Sequence, residues 1–110
     1  MSKFMRIIVF FDIPTKTKRD RKCAGRFRKF LLKDGYCMLQ YSVYVRVCNG
    51  VDALKKHEGR LRENLPPVGA VRMLLLTDKQ YCSMKILVGT AKKEEKNASN
   101  LLDIEVTPQS

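Results

Sequence analysis

The order of hydrophobic patterns along the chain predicts an α+β fold, with two helices laid over one face of an antiparallel sheet. Three observations carry that expectation. Apolar residues switch between near-continuous or alternating runs and a 3.6-residue period, which separates strands from helices. The switches come in the order β-α-β-β-α-β. Turn or cap residues punctuate them: Asp12-Ile13-Pro14, Asp34-Gly35, Asn49-Gly50 and Pro66-Pro67. This order is the ferredoxin-like split βαβ arrangement. A chain of 110 residues fits one such domain. Residues 1–89 hold it, and residues 90–110 form a C-terminal linker with a possible edge strand or partner-binding tail.

Met5 to Phe11 is an apolar run rich in Ile, Val and Phe, the pattern of a central strand buried on both faces. Thr15 or Thr17 can cap the helix that follows. From Lys18 to Lys33 the period is helical, with Cys23, Phe27, Phe30 and Leu31 on one side. Asp34-Gly35 ends this helix, with Gly35 as the left-handed residue. Tyr36 to Cys48 is strand material, in which Val43, Val45 and Val47 alternate with Ser42, Tyr44 and Arg46. It fits one long bent strand or two short ones joined near Gln40 to Ser42.

Asn49 is placed to cap the second helix, with Asp52 in a weak variant of the capping box. Ala53, Leu54, His57, Leu61 and Leu65 form its inner stripe, and Pro66-Pro67 stops it. Ala70 to Thr77 is a further buried strand, and Met84 to Val88 a short one. Thr90 to Asn100 is polar, and Leu101 to Val106 is a last apolar patch that can add an edge strand.

Two helices cover only one face of such a sheet. Yet Ile7, Ile8, Val9, Phe10 and Phe11 in the first strand, and Met73, Leu74, Leu75 and Leu76 in the fourth, are apolar toward both. An open face carrying them would be a large exposed patch. A second copy of the chain, sheet towards sheet, removes it and predicts a symmetric homodimer. The alternative is that the C-terminal segment folds back over its own sheet.

Charge narrows the function. Lys and Arg total 22 against 11 Asp and Glu, a net charge of +11. Such self-repulsion points to a polyanion, nucleic acid or an anionic membrane surface. No apolar stretch reaches the ~20 residues of a spanning helix, and Ile7 to Phe11 is too short for a signal peptide. Cys23, Cys37, Cys48 and Cys82 form no C-x-x-C pair, and the single His57 completes no familiar zinc spacing with them. Scattered, apolar-flanked cysteines fit a buried role in a reducing cytoplasm.

The charge is also organised. Residues 16–33 hold nine bases and one acid, Asp20. At 100° per residue, Arg19, Lys22, Arg26, Lys29 and Lys33 fall in one stripe, roughly 120° from the apolar one. Lys16, Lys18 and Arg21 flank it, and Arg28, Lys55, Lys56, Arg60 and Arg62 add further charge. The plain alternative is a solvated basic face, but the shortage of i,i+4 acids favours phosphate contact. Tyr36, Tyr41, Tyr44 and Tyr81 match no base-reading signature and are expected to pack.

Asp12 is the most suggestive single residue, a carboxylate at the end of a central strand. Phosphodiester hydrolysis recruits several carboxylates around divalent metal, and no second one stands near it in sequence. A two-fold axis beside Asp12 would pair two copies, and two carboxylates plus waters suit octahedral Mg²⁺. The alternative is an Asx-turn over Ile13–Thr15.

The stretches Met5-Arg6-Ile7-Ile8-Val9-Phe10-Phe11-Asp12-Ile13-Pro14 and Gln40-Tyr41-Ser42-Val43-Tyr44, the basic helix, and the apolar strand ending at Thr77 resemble the second CRISPR-associated protein family (Cas two). Pro14-Thr15-Lys16-Thr17-Lys18 and Pro66-Pro67-Val68-Gly69 resemble its branch in Cas-nine-type systems. The resemblance covers residues 5–89. It implies a cytoplasmic ferredoxin-like homodimer of prokaryotic adaptive immunity, seated between two dimers of the CRISPR integrase (Cas one). There it supports duplex DNA being captured as a spacer. It also implies Mg²⁺-dependent endonuclease activity on single-stranded RNA or double-stranded DNA. A toxin-type ribonuclease of similar fold is a separate, third reading. In that pattern Asp12 matches the strand-end aspartate as catalytic and metal-binding residue, and Tyr44 the aromatic after Gln-x-Ser-Val. Lys18, Arg19 and Arg21 match the bases near the start of the first helix. Phe11 stands where many members carry Tyr.

Overall fold

The computed structural model describes residues 4–89, and the tail patch Leu101 to Val106 lies outside them. The elements run β1 (Phe4–Asp12), α1 (Lys18–Lys33), β2 (Cys37–Gln40), β3 (Val43–Asn49), α2 (Gly50–Glu63), β4 (Ala70–Thr77) and α3 (Asp78–Cys82). The sheet order is β2-β3-β1-β4, every neighbour antiparallel. This is the ferredoxin-like topology.

Strand alternation divides β1 between two faces. Ile7, Val9 and Phe11 point to the helices and pack with Ala24, Phe27 and Leu31 of α1 and Leu61 of α2. Phe11 meets Phe27 edge to face, ring centroids 5.1 Å apart. Ile8 faces the other way, in a smaller cluster with Val45 and Tyr81.

Helix α1 begins and ends on local signals. Thr17 caps it: the Asp20 N–H donates to Thr17 Oγ1 (3.0 Å), and the Thr17 N–H donates to the Asp20 carboxylate (3.4 Å). At the far end Tyr36 N–H donates to the Leu31 carbonyl (2.9 Å) and Gly35 N–H to that of Leu32 (3.2 Å), a Schellman closure. Gly35 has φ +98°, and a Cβ on it would stand 3.0 Å from the Arg46 guanidinium. The left-handed conformation favours glycine there, while the guanidinium could shift to make room.

The strand material after α1 is two strands, turned at Tyr41-Ser42, where Ser42 takes φ +63°. Helix α2 departs from expectation at both ends. Asn49 occupies the N-cap position but its side chain makes no cap hydrogen bond, so no capping box forms with Asp52. The helix stops at Glu63, before the prolines, and Leu65 lies beyond it, exposed. It does not belong to the inner stripe.

The larger correction follows β4. Met84 to Val88 form no strand. The chain turns instead into the short helix α3, opened by a capping box in which Gln80 N–H donates to Thr77 Oγ1 (3.0 Å) and Thr77 N–H to Gln80 Oε1 (2.9 Å). Tyr81 of α3 packs on Ile8 and Val45, on the sheet face away from α1 and α2. Beneath α3, Arg6 is only 3% exposed. Its Nε donates to Asp78 Oδ1 at 2.9 Å, and its guanidinium lies 4.3 Å from the centroid of the Tyr81 ring.

Helix α3 thus covers one end of the open face. At the other end Phe10 and Leu74 remain 38% and 47% exposed, so within one chain β1 and β4 are not buried on both faces throughout. The C-terminal segment whose folding back was the alternative to a second copy lies outside the described residues.

The Arg6–Asp78 pair fixes α3 by an ion that has lost its water. Asp78→Ala is expected to cost about 3 kcal/mol, because it leaves the buried Arg6 charge unpaired. Urea denaturation checks this. Arg6→Met combined with Asp78→Leu should recover much of the loss, and an unchanged midpoint for Asp78→Ala would show that the pair does not hold α3.

Candidate nucleic-acid interface

The spacing of the α1 bases becomes a surface because the opposite side of the helix is buried. Ala24, Phe27 and Leu31 face the sheet, which turns Arg19, Lys22, Arg26, Lys29 and Lys33 outward, all exposed. At 1.5 Å per residue the row spans about 20 Å. Asp20, its one acid, is engaged in the Thr17 cap. The ion pairs among the described residues are Arg6–Asp78, Arg60–Asp34 and Arg62–Glu58, and the row enters none of them. Five cations in series, none in an ion pair among the described residues, form a surface that attracts anions.

The flanking bases differ in kind. Lys16 and Lys18 are exposed. Arg21 is exposed too, but its Nη1 donates to the carbonyls of Thr15 (3.1 Å) and Lys16 (3.2 Å). It fastens the loop between β1 and α1. On α2 two of the expected bases are occupied: Arg60 pairs with Asp34 at 2.6 Å and Arg62 with Glu58 at 2.9 Å. Only Lys55 and Lys56 of that helix stay exposed and outside these pairs.

Asp12 ends β1 opposite Ala70, exposed, on the face that carries Ile8 and Phe10. Among the described residues its carboxylate has no hydrogen bond, so the Asx-turn alternative is not formed. The backbone around it is held on both sides. Ser42 accepts the Phe11 N–H at 3.1 Å. Gly69, at φ +93°, packs so close that a Cβ would lie 2.4 Å from the Asp12 carbonyl oxygen. Two residues in the left-handed region thus frame one strand end. Phe11 and Tyr44 are buried on the opposite, helix-covered face, ring centroids 5.6 Å apart. They support the strand from behind, and neither ring shares the face of Asp12.

Comparison with known proteins settles the family. The family model described as CRISPR associated protein Cas2 matches residues 5–84. A protein of Acidovorax ebreus is 53% identical over 95 residues, covering 86% of this chain and 93% of its own. One from Campylobacter jejuni is 46% identical over 101 residues (90% and 71%), and one from Lacticaseibacillus rhamnosus 42% over 96 residues (87% and 95%). The chain belongs to the Cas2 family. All three relatives carry the name CRISPR-associated endoribonuclease Cas2, and a CRISPR role follows for this chain.

For a Cas2 chain, what stands away from Asp12 is as informative as what stands near. His57 is half-buried on α2, and its Nδ1 lies 2.7 Å from Arg60 Nη2. Burial, then the Arg46 and Arg60 charges, hold its pKa below the ordinary value, so the neutral ring accepts from Arg60. It belongs to a structural cluster with Asp34, Arg46 and Tyr36, whose phenol burial pushes up to about 12. Among the described residues no three His, Cys, Asp or Glu side chains gather as a metal site. One chain brings a single carboxylate, that of Asp12, to the end of β1. No described helix is long and apolar enough to cross a membrane.

Two residues near Asp12 depart from the sequence reading: Arg72 was not singled out, and Tyr41 was expected to pack. Arg72 stands opposite Phe10 in the register, on the same face, exposed. Counting two residues on from the strand start at Ala70 would have found it. Tyr41 is 79% exposed, whereas Tyr36, Tyr44 and Tyr81 are buried as expected. Its place in a two-residue turn was the available signal.

Proposed function

We propose that this Cas2 chain acts as a homodimer that holds the backbone of duplex DNA during CRISPR spacer acquisition, bridging the integrase dimers. One observation carries this reading: the exposed row Arg19, Lys22, Arg26, Lys29 and Lys33, free of ion pairs among the described residues. Lys16 and Lys18 extend it towards the end of β1. A two-fold axis through the exposed Phe10 and Leu74 patch would double the row into a symmetric platform. Contacts of this kind are to phosphate and carry no sequence information. Replacing Arg19, Arg26 and Lys29 together with Ala is expected to weaken binding to a short DNA duplex about a hundredfold at 0.1 M salt. Unchanged affinity would end the reading.

The exposed, unbonded carboxylate of Asp12 favours a second activity, Mg²⁺-dependent endonuclease action on RNA or DNA, in keeping with the names of the relatives. Asp12 from each subunit would hold the ion, with water completing its shell. Bound there, Mg²⁺ would supply an activated water and offset charge on the phosphate. The chain's own part is to hold the two strand ends in place through the Ser42 and Gly69 backbone.

A further inference from the structure

We propose that Tyr41 and Arg72 are positioning residues that seat one unpaired nucleotide across the Asp12 strand end, the base stacked on Tyr41 and the phosphate held by Arg72. The inference rests on reading Asp12 as the place of phosphodiester chemistry. It begins from the sheet order. β1 lies between β3 and β4, so Asp12 has a neighbour on each side. On the β3 side stands the Tyr41-Ser42 turn, tied to β1 by the bond from Phe11 N–H to the Ser42 carbonyl (3.1 Å). On the β4 side, Asp12 pairs with Ala70 and Phe10 with Arg72. Arg72 is therefore the diagonal neighbour of Asp12 on one face, about 7 Å away along the pleat.

Each flank has a side chain with no hydrogen bond or ion pair among the described residues. Tyr41 is 79% exposed in a protein whose other three tyrosines are buried. A large ring left in water at a tight turn gains nothing for folding. An unpaired base would cover it, since stacking on aromatic side chains is tolerant of sequence. Arg72 is exposed and enters none of the ion pairs among the described residues. The nearest anion in the register is Asp12, and a cation beside it would attract a phosphate that the carboxylate alone repels. Neighbouring strands are about 4.8 Å apart, so the two flanks lie roughly 10 Å from each other, the scale of one nucleotide. A duplex keeps its bases stacked inside and cannot use Tyr41. The preference is for single strands.

The test is binding in EDTA, so that cleavage plays no part, using short unstructured RNA and DNA oligonucleotides labelled with 2-aminopurine. Wild-type protein should quench the label. Tyr41→Ala should abolish the quenching and weaken single-strand affinity about tenfold, and Tyr41→Phe should retain both. Arg72→Ala should lower the salt slope of single-strand binding by about one. Binding to a blunt duplex, held by α1, should not change in any of the three. A loss in the RNA arm or the DNA arm alone names that polymer as the ligand. Full quenching and affinity in Tyr41→Ala would overturn the proposal. So would dissociation of a dimer by that substitution in sedimentation, which would assign the ring to an interface. Asp12→Asn that still cleaves would take Asp12 out of the chemistry and leave these binding results standing.

Discussion

Asp12→Asn is expected to lower Mg²⁺-dependent cleavage about a thousandfold while leaving duplex binding unchanged. The rate effect follows from what the carboxylates would supply. Lewis-acid stabilisation by a bound metal is worth several kcal/mol, and each 1.4 kcal/mol is tenfold in rate. By symmetry one substitution removes both carboxylates of a pair. Binding should survive because the α1 row lies on another element and contains no part of β1. Stability should survive too. Asp12 is exposed and, among the described residues, bonds to nothing, so its replacement should fall within about 0.5 kcal/mol of neutral. A gel assay of RNA and duplex cleavage, run beside a binding titration, reads both halves. Cleavage persisting in the variant would take Asp12 out of the chemistry.

Leu74→Asp is expected to turn a dimer into a folded monomer at micromolar concentration. Leu74 is 47% exposed on the face that α3 leaves open, opposite Ile8 in the register. In a single chain a carboxylate there stays in water at little cost. Pressed against the apolar patch of a second copy it would lose that water, a cost of a few kcal/mol for each subunit. The dissociation constant should rise at least a hundredfold, read by sedimentation equilibrium. Cleavage should fall with it, because separated subunits bring one Asp12 each. A variant that still sediments as a dimer would place the interface elsewhere.

How much of this was legible in sequence depended on whether the cause was local. Helix α1 runs over the expected residues because Thr17, Asp20 and Gly35 act within a turn of its ends. Strand β4 likewise matches its apolar run. Helix α3 was missed because five residues show no period, and the apolar Met84 to Val88 imitated a strand. Its start was nevertheless written in Thr77-x-x-Gln80, a capping-box spacing. Its anchor was not written anywhere local: Arg6 and Asp78 are 72 residues apart.

The same distinction applies to charge. The α1 row is a matter of helical spacing and stands as expected. That Arg62 meets Glu58 is an i,i+4 relation open to inspection. That Arg60 meets Asp34 needs the tertiary fold, and it removes a cation that composition alone would count. At Asp12, sequence showed a carboxylate at a strand end, but the framing by Ser42 and Gly69 arises only when the hairpin and the β4 entry close on it.

The central claim is that the outward row of α1 grips a phosphate backbone. The direct measurement is affinity for a short DNA duplex in EDTA across a range of sodium chloride, for wild type and for the Arg19, Arg26 and Lys29 triple alanine variant. The account predicts a steep linear fall of log affinity with log salt for wild type, and a slope shallower by about 2.7 in the variant, at 0.9 per lost phosphate contact. Parallel lines for the two proteins would contradict it.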